Sequence, residues 1–158
     1  MVRELTDADE AGMELALAEA RAAGGAGEVP VGAVILLNGE VIGRGQNRIL
    51  RDNDPTAHAE MLAIRSATSQ TGMKWLNDCD AYVTLEPCAM CAGALVLARV
   101  SRLVFGADDP KTGACGSLRN IVDDSRLNHR IDVRRSVLEE PCSEMLKRFF
   151  QDLRRKNA

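Results

Sequence analysis

Ala81-Tyr82-Val83-Thr84-Leu85-Glu86-Pro87-Cys88-Ala89-Met90-Cys91 is the stretch on which the fold turns. The run Ala81 to Leu85 suits a buried strand. Glu86-Pro87 ends it, and an Ala- and Leu-rich segment from Cys88 to Arg99 follows as a helix, with the proline suiting a helix start. A strand that passes straight into a helix is the unit of an α/β fold. Upstream, the apolar runs Val31 to Leu37 and Glu40 to Gly45 flank Asn38-Gly39, a pair whose two residues both accept positive φ and so predict a β-hairpin. Downstream, Arg102 to Gly106 reads as a further strand, and Ile131 to Val137 alternates like an edge strand.

Three more helices complete the pattern. The first runs from Thr6 to about Ala23, capped within Leu5 to Asp9 and stopped by Gly24-Gly25-Ala26-Gly27. The second begins near Ala57 with Thr56 as its cap and continues through Met61, Leu62 and Ile64. The last runs from Cys142 to about Arg155, with Met145, Leu146, Phe149 and Phe150 turned inward. The order is helix, hairpin, then alternating helix and strand. It predicts an α/β fold with three α/β/α layers around a mixed sheet, in one domain spanning residues 1–158.

A hydrophobic fraction of 46% and a charged fraction of 27% exclude a disordered, collagen-like or coiled-coil chain. No apolar run approaches the roughly 20 residues of a membrane span. Met1 to Asp7 lacks the basic-then-apolar pattern of a secretory signal, so no membrane association and a cytoplasmic location are expected. The net charge of −3 is unevenly spread: residues 1–125 carry 11 Lys and Arg against 18 Asp and Glu, whereas residues 126–158 carry nine against five. A basic end on an acidic body fits either a solvated helix face or a contact with a polyanion.

Five cysteines (Cys79, Cys88, Cys91, Cys115 and Cys142) form an odd set with no signal peptide before them, which favours a metal site or a reactive thiol over a disulfide framework. Cys88 and Cys91, three apart at a helix start, project to one side, where the positive helix end lowers their pKa. That pair alone fits zinc ligands, a redox couple or buried packing. His58 adds a third ligand, and the chain offers no obvious fourth apart from the less suitable His129. Three ligands and an open position is the pattern of catalytic zinc, one ion per subunit. Glu60 stands two residues after His58, beside that open position without binding the metal. Zinc lowers the pKa of its bound water to about 7, and Glu60 would carry the proton onward. Such machinery suits hydrolytic attack on an electron-poor carbon of a nucleobase.

His58-Ala59-Glu60 with Pro87-Cys88-Ala89-Met90-Cys91 resembles the signature of the zinc-dependent nucleobase deaminases, the cytidine/deoxycytidylate deaminase superfamily. Glu28 to Val34, Gly45 to Arg48, Asp54 to Glu60, Tyr82 to Cys88 and Val104 to Gly113 are similar to its bacterial tRNA-specific adenosine deaminase branch, as are Gly116-Ser117-Leu118, Asn128-His129-Arg130, Phe149-Phe150 and Arg154-Arg155-Lys156. The resemblance implies a cytidine-deaminase-like fold with mostly five strands, and a homodimer that takes a tRNA anticodon stem-loop. The wobble adenosine would be flipped out and converted to inosine by a zinc-bound hydroxide, with Glu60 as the proton shuttle. By matching position, Asn47 and the backbone of Ala59 would meet the target nucleoside, Asp109 its ribose and flanking backbone, and Lys111 a phosphate. Phe150 is a candidate stacking face. The alternative within the superfamily is a deaminase of free cytosine, guanine or cytidine. Taken alone, Asn47, Asp109 and Lys111 also read as turn residues. Trp75, Cys79, Cys115 and Cys142 read as packing residues.

Overall fold

Asn38 and Gly39 both take positive φ, 52° and 81°, and close the hairpin that the sequence predicts. The computed structural model describes residues 7–157. It contains α1 (Asp7–Gly25), β1 (Gly32–Leu37), β2 (Glu40–Gln46), α2 (Ala59–Thr71), β3 (Cys79–Leu85), α3 (Ala89–Leu97), β4 (Arg102–Ala107), β5 (Asp132–Arg134) and α4 (Glu139–Lys156). The five strands form one mixed sheet in the order β2-β1-β3-β4-β5. β1 pairs antiparallel with β2 and β3, whereas β3–β4 and β4–β5 are parallel.

The central strands read as continuous apolar runs because both of their faces are covered. Ala33 and Ile35 of β1, Ala81 and Val83 of β3, and Leu103 and Phe105 of β4 point to one side. There they pack on Ala59, Ala63 and Ala67 of α2 and on Ala92, Leu95 and Val96 of α3. The alternating residues Val34, Tyr82 and Val104 point to the other, against Met13, Ala16 and Leu17 of α1 and Cys142 of α4. This is the expected α/β/α layering, with α2 and α3 on one face and α1 and α4 on the other.

Four details differ from the sequence expectation. α1 continues through Gly24 and ends at Gly25, two residues before Gly27 takes a φ of 85°; Leu5 and Thr6 of its expected cap lie outside the described residues. α2 starts at Ala59 rather than Ala57, because Thr56 spends its hydroxyl and its N–H on the Asp54 carboxylate and leaves the cap to His58. β5 is only three residues long, since the chain turns to positive φ at Ser136 and again at Leu138. α4 begins at Glu139: Pro141 falls in its first turn, where a missing N–H costs nothing, and Glu139 and Glu140 face the positive helix end.

One buried ion pair joins the α1 layer to the sheet. Arg102 donates to both Asp9 oxygens, at 2.6 and 2.7 Å, and the Tyr82 hydroxyl donates to the same carboxylate at 3.1 Å. Both charged residues are buried. Removing one partner of such a pair leaves the other charge stranded, at a cost of about 3–5 kcal/mol. Asp9→Ala is expected to lower unfolding stability in urea by that amount, and Asp9→Leu with Arg102→Met together by less. A double variant as unstable as the single one would contradict this reading.

Candidate active site

β1 runs against both β2 and β3, and β4 runs with β3, so β2, β3 and β4 all point the same way. Their carboxyl ends release Asn47, the turn Glu86-Pro87-Cys88 and Asp108-Asp109 at one edge of the sheet. The carboxyl edge of parallel strands is where α/β sheets take ligands.

His58 is the N-cap of α2 and Cys88 the N-cap of α3. An ordinary capping side chain folds back onto the first turn of its helix. Neither of these does, and both are left to face each other across the gap. Cys91 follows in the first turn of α3. Gly45 makes the approach possible: a Cβ there would run into the carbonyl of Ala59, so α2 sits directly on β2 at this point. Two positive helix ends therefore meet at the two sulfurs.

The Nδ1 atom of His58 is 3.7 Å from Cys88 Sγ and 3.5 Å from Cys91 Sγ. All three ligand atoms lie within 4.8 Å of one another. A tetrahedral zinc ion with bonds of about 2.3 Å to sulfur and about 2.1 Å to nitrogen would set N and S about 3.6 Å apart. The donor set and its spacing fit that ion. The Cys88 thiol is drawn down to about 3, first by its hydrogen bond with Cys91 and then by that with His58. The same contact, with burial, raises the Cys91 thiol. His129 does not join the triad: its Nε2 faces the carbonyl oxygen of Val100 at 2.7 Å.

Glu60 lies in the first turn of α2 and is buried, but it stands outside the three-ligand group. Burial pushes its carboxyl above the usual range, and repulsion by the Cys88 sulfur adds to the rise. A carboxyl group that holds its proton more tightly than usual suits general acid–base work near neutrality.

A cavity of about 190 Å³ opens onto His58, Cys88 and Glu60. Val29, Val31, Ile49 and Leu85 form its apolar walls, while Asn47, Asp109 and Thr112 supply polar ones. Ala59 also reaches this cavity. Asn47 is buried, donates to the carbonyl of Val29 at 3.3 Å and accepts from Ile49 N–H at 3.4 Å, so its amide is held in place. The Asp109 carboxylate accepts the N–H groups of Lys111 and Thr112 at 3.0 and 3.1 Å and the Thr112 hydroxyl at 2.7 Å. It both shapes its own turn and faces the cavity.

Lys111 and Phe150 lie beside the cavity rather than in it. They line a groove between the end of β4 and α4, together with Lys147 and Arg154. Phe150 is 41% exposed, which corrects the expectation that it packs inward: it meets Phe149 edge-on and leaves much of its surface to solvent. Trp75 is likewise no packing residue. It is 45% exposed, with Lys74 and Arg99 each within 5 Å of its ring centre, at 4.3 and 4.8 Å. Cys79, Cys115 and Cys142 are buried and unpaired, as expected.

Two acids that hold the site together carried no assigned role in the sequence. Glu28 accepts the N–H groups of Leu50 and Arg51, each at 2.9 Å, and the Arg51 side chain at 3.0 Å. It thereby fixes the loop that brings Ile49 to the cavity. Glu86 does the same for the loop after β4. Nothing local marks either residue, because their partners lie more than 20 residues away in the chain.

Comparison with known proteins agrees with this geometry. The family model of MafB19-like deaminases matches residues 7–154. The tRNA-specific adenosine deaminase of Bacillus subtilis is 49% identical over 148 residues, covering 94% of this chain and 92% of the relative. That of Aquifex aeolicus is 49% identical over 142 residues, covering 90% and 93%. A solved structure from a study of A-to-I editing by tRNA:A34 deaminases at the wobble position of transfer RNA superposes with a TM-score of 0.83 at 48% identity, covering 86% of this chain and 99% of that one. The guanine deaminase of Nitrosomonas europaea superposes at 0.77 with 25% identity, covering 89% and 83%. With half of its residues shared along nearly the full length of such relatives, the chain belongs to the tRNA-specific adenosine deaminase family.

Proposed function

We propose that this chain deaminates the wobble adenosine of a tRNA anticodon to inosine. The observation that carries the reading is the buried Glu60 set beside a His-Cys-Cys triad at the floor of a cavity, in a chain 49% identical to tRNA-specific adenosine deaminases. His58, Cys88 and Cys91 would hold one zinc ion per subunit. Zinc held in this way supplies Lewis-acid activation of water. Val29, Val31, Ile49 and Leu85 pack against the flat faces of the flipped base and keep solvent out. Asn47 and the backbone of Ala59 hold its polar edge. Glu60 takes a proton from the attacking water and delivers it to N1 of the purine, then assists departure of the C6 amine as ammonia.

The groove at α4 favours a nucleic-acid substrate over a free base. Lys111, Lys147 and Arg154 present positive charge to a phosphate backbone, and the exposed Phe150 offers a stacking face. Asp109 and Thr112 stand between groove and cavity, where the ribose of the target would pass. A cytoplasmic location follows from the substrate. Among the described residues, no helix is long and apolar enough to cross a membrane.

A homodimer is also part of the proposal. α3 carries no charged residue, yet only its Cys91, Ala92, Leu95 and Val96 are buried in the chain's own core. Leu97 on its outer side is 79% exposed, in line with Met90, Gly93 and Ala94. An apolar stripe at helical spacing on a deaminase domain fits a second copy of the same chain.

Glu60→Gln should keep one zinc per chain and abolish inosine formation in an anticodon stem-loop, read by metal analysis and by sequencing; turnover of free adenosine or cytidine but not of the stem-loop would remove the tRNA reading. Lys147→Glu with Arg154→Glu should weaken stem-loop binding and flatten its salt dependence by about one or two units of log–log slope. An unaltered slope would exclude the groove from the contact. Leu97→Arg should shift the protein from dimer to monomer in sedimentation equilibrium, and an unchanged mass would place the interface elsewhere.

A further inference from the structure

Glu86 directly follows β3 and precedes Pro87 and Cys88, and its side chain is fully shielded from solvent. Burying a carboxylate costs several kcal/mol unless hydrogen bonds compensate. Here every bonding direction is used, and by one loop. Oε1 accepts the N–H of Asp109 at 3.1 Å and the hydroxyl of Ser117; Oε2 accepts the N–H groups of Cys115 and Ser117, each at 3.0 Å. The loop from Asp109 to Ser117 is thus folded around the carboxylate. A Cβ on Gly113 would strike that carboxylate. The same loop also grips the metal-binding turn directly, since Ala114 N–H donates to the Pro87 carbonyl at 2.8 Å and Gly113 forms a bridge with Cys88. Arg135 braces the assembly from outside, 4.0 Å from Glu86 Oε1 and bonded to Asp108 at 2.9 Å.

This loop carries Asp109 and Thr112 on the cavity wall and Lys111 on the groove. A forked acceptor that takes donors from both ends of the loop fixes its distance and its rotation at once. We propose that Glu86 is a positioning residue for substrate: it sets the Asp109–Ser117 loop at a fixed place relative to the His58, Cys88 and Cys91 triad, and so governs capture of the nucleotide rather than the proton transfers. The proposal deepens the tRNA deaminase reading and rests on it for the identity of the substrate. Glu86 borders the cavity, but both of its oxygens are taken up by the loop, which is why its role is positioning.

The test uses the zinc-loaded full chain with Glu86→Gln, which keeps the shape but sets an amide N–H₂ against N–H donors, and with Ser117→Ala, which removes only the hydroxyl donor. Both variants should retain one zinc per chain. With an anticodon stem-loop, Glu86→Gln should raise KM on the order of tenfold or more while kcat falls far less, and Ser117→Ala should follow in the same direction by a smaller factor. Amide hydrogen exchange gives a readout independent of turnover. The N–H groups of Asp109, Cys115 and Ser117 should exchange on the order of tenfold faster in Glu86→Gln, with β3 and β4 unchanged. Equal protection in the variant, loss of zinc, or a fall confined to kcat would overturn the proposal, and if Glu86→Gln fails to fold, Ser117→Ala decides by the same measurements. Wild-type protein that forms no inosine in the stem-loop would refute the function, while the exchange result would still judge the loop.

Discussion

Two helices begin where two sulfur atoms need positive potential, and the rest of the molecule is arranged so that they can. α2 and α3 start at His58 and Cys88, the very residues whose side chains form the triad. Their first-turn N–H groups and aligned peptide dipoles favour anionic sulfur at that point. Reaching it requires α2 to lie against bare backbone at Gly45 and α3 to begin directly after the end of β3. The parallel run of β2, β3 and β4 then delivers Asn47, Cys88 and Asp109 to one edge. The mixed sheet is therefore what gathers, at one rim, residues that lie up to about sixty positions apart.

The chemistry was legible in the sequence to the extent that it is local. Cys88 and Cys91 share one helical turn, Glu60 follows His58 by two, and Asn38-Gly39 announces its hairpin; short-range geometry dictates each of these. The α/β/α layering was legible because the strands buried on both faces, such as Ala81 to Leu85, carry few charges to disguise them. The parts that were not legible depend on distant partners. Thr56 looks like a helix cap, yet Asp54 captures it. Phe150 looks like a core residue because its helix is amphipathic, and only the position of the β4 loop shows that it borders an open groove. Glu28 and Glu86 look like loop charges and are instead buried anchors, each tied to backbone more than 20 residues away.

Those anchors bear on how an acidic body could offer the proposed contact with a polyanion. Several of the acids nearest the cavity are already engaged within the protein: Glu28 by the Arg51 loop, Glu86 by the Asp109–Ser117 loop, and Asp109 by Lys111 and Thr112. Arg135 neutralises Asp108 at the head of the same loop. The basic residues of α4, by contrast, lie at its exposed carboxyl-terminal turns, where Arg154, Arg155 and Lys156 also complement the negative helix end. Total charge is a poor guide here because Glu28, Glu86 and Asp109 beside the cavity are taken up by internal hydrogen bonds, while Arg154, Arg155 and Lys156 are exposed.

In the proposed site a single zinc ion would be held by one imidazole nitrogen and two thiolates, with Glu60 kept off the metal. X-ray absorption at the zinc edge of the purified protein tests it most directly. Two sulfur neighbours at about 2.3 Å and two light neighbours at about 2.0–2.1 Å are expected, with the spectrum unchanged in Glu60→Gln. A site closed by four protein ligands, or one whose light-atom shell alters when Glu60 is replaced, would contradict it.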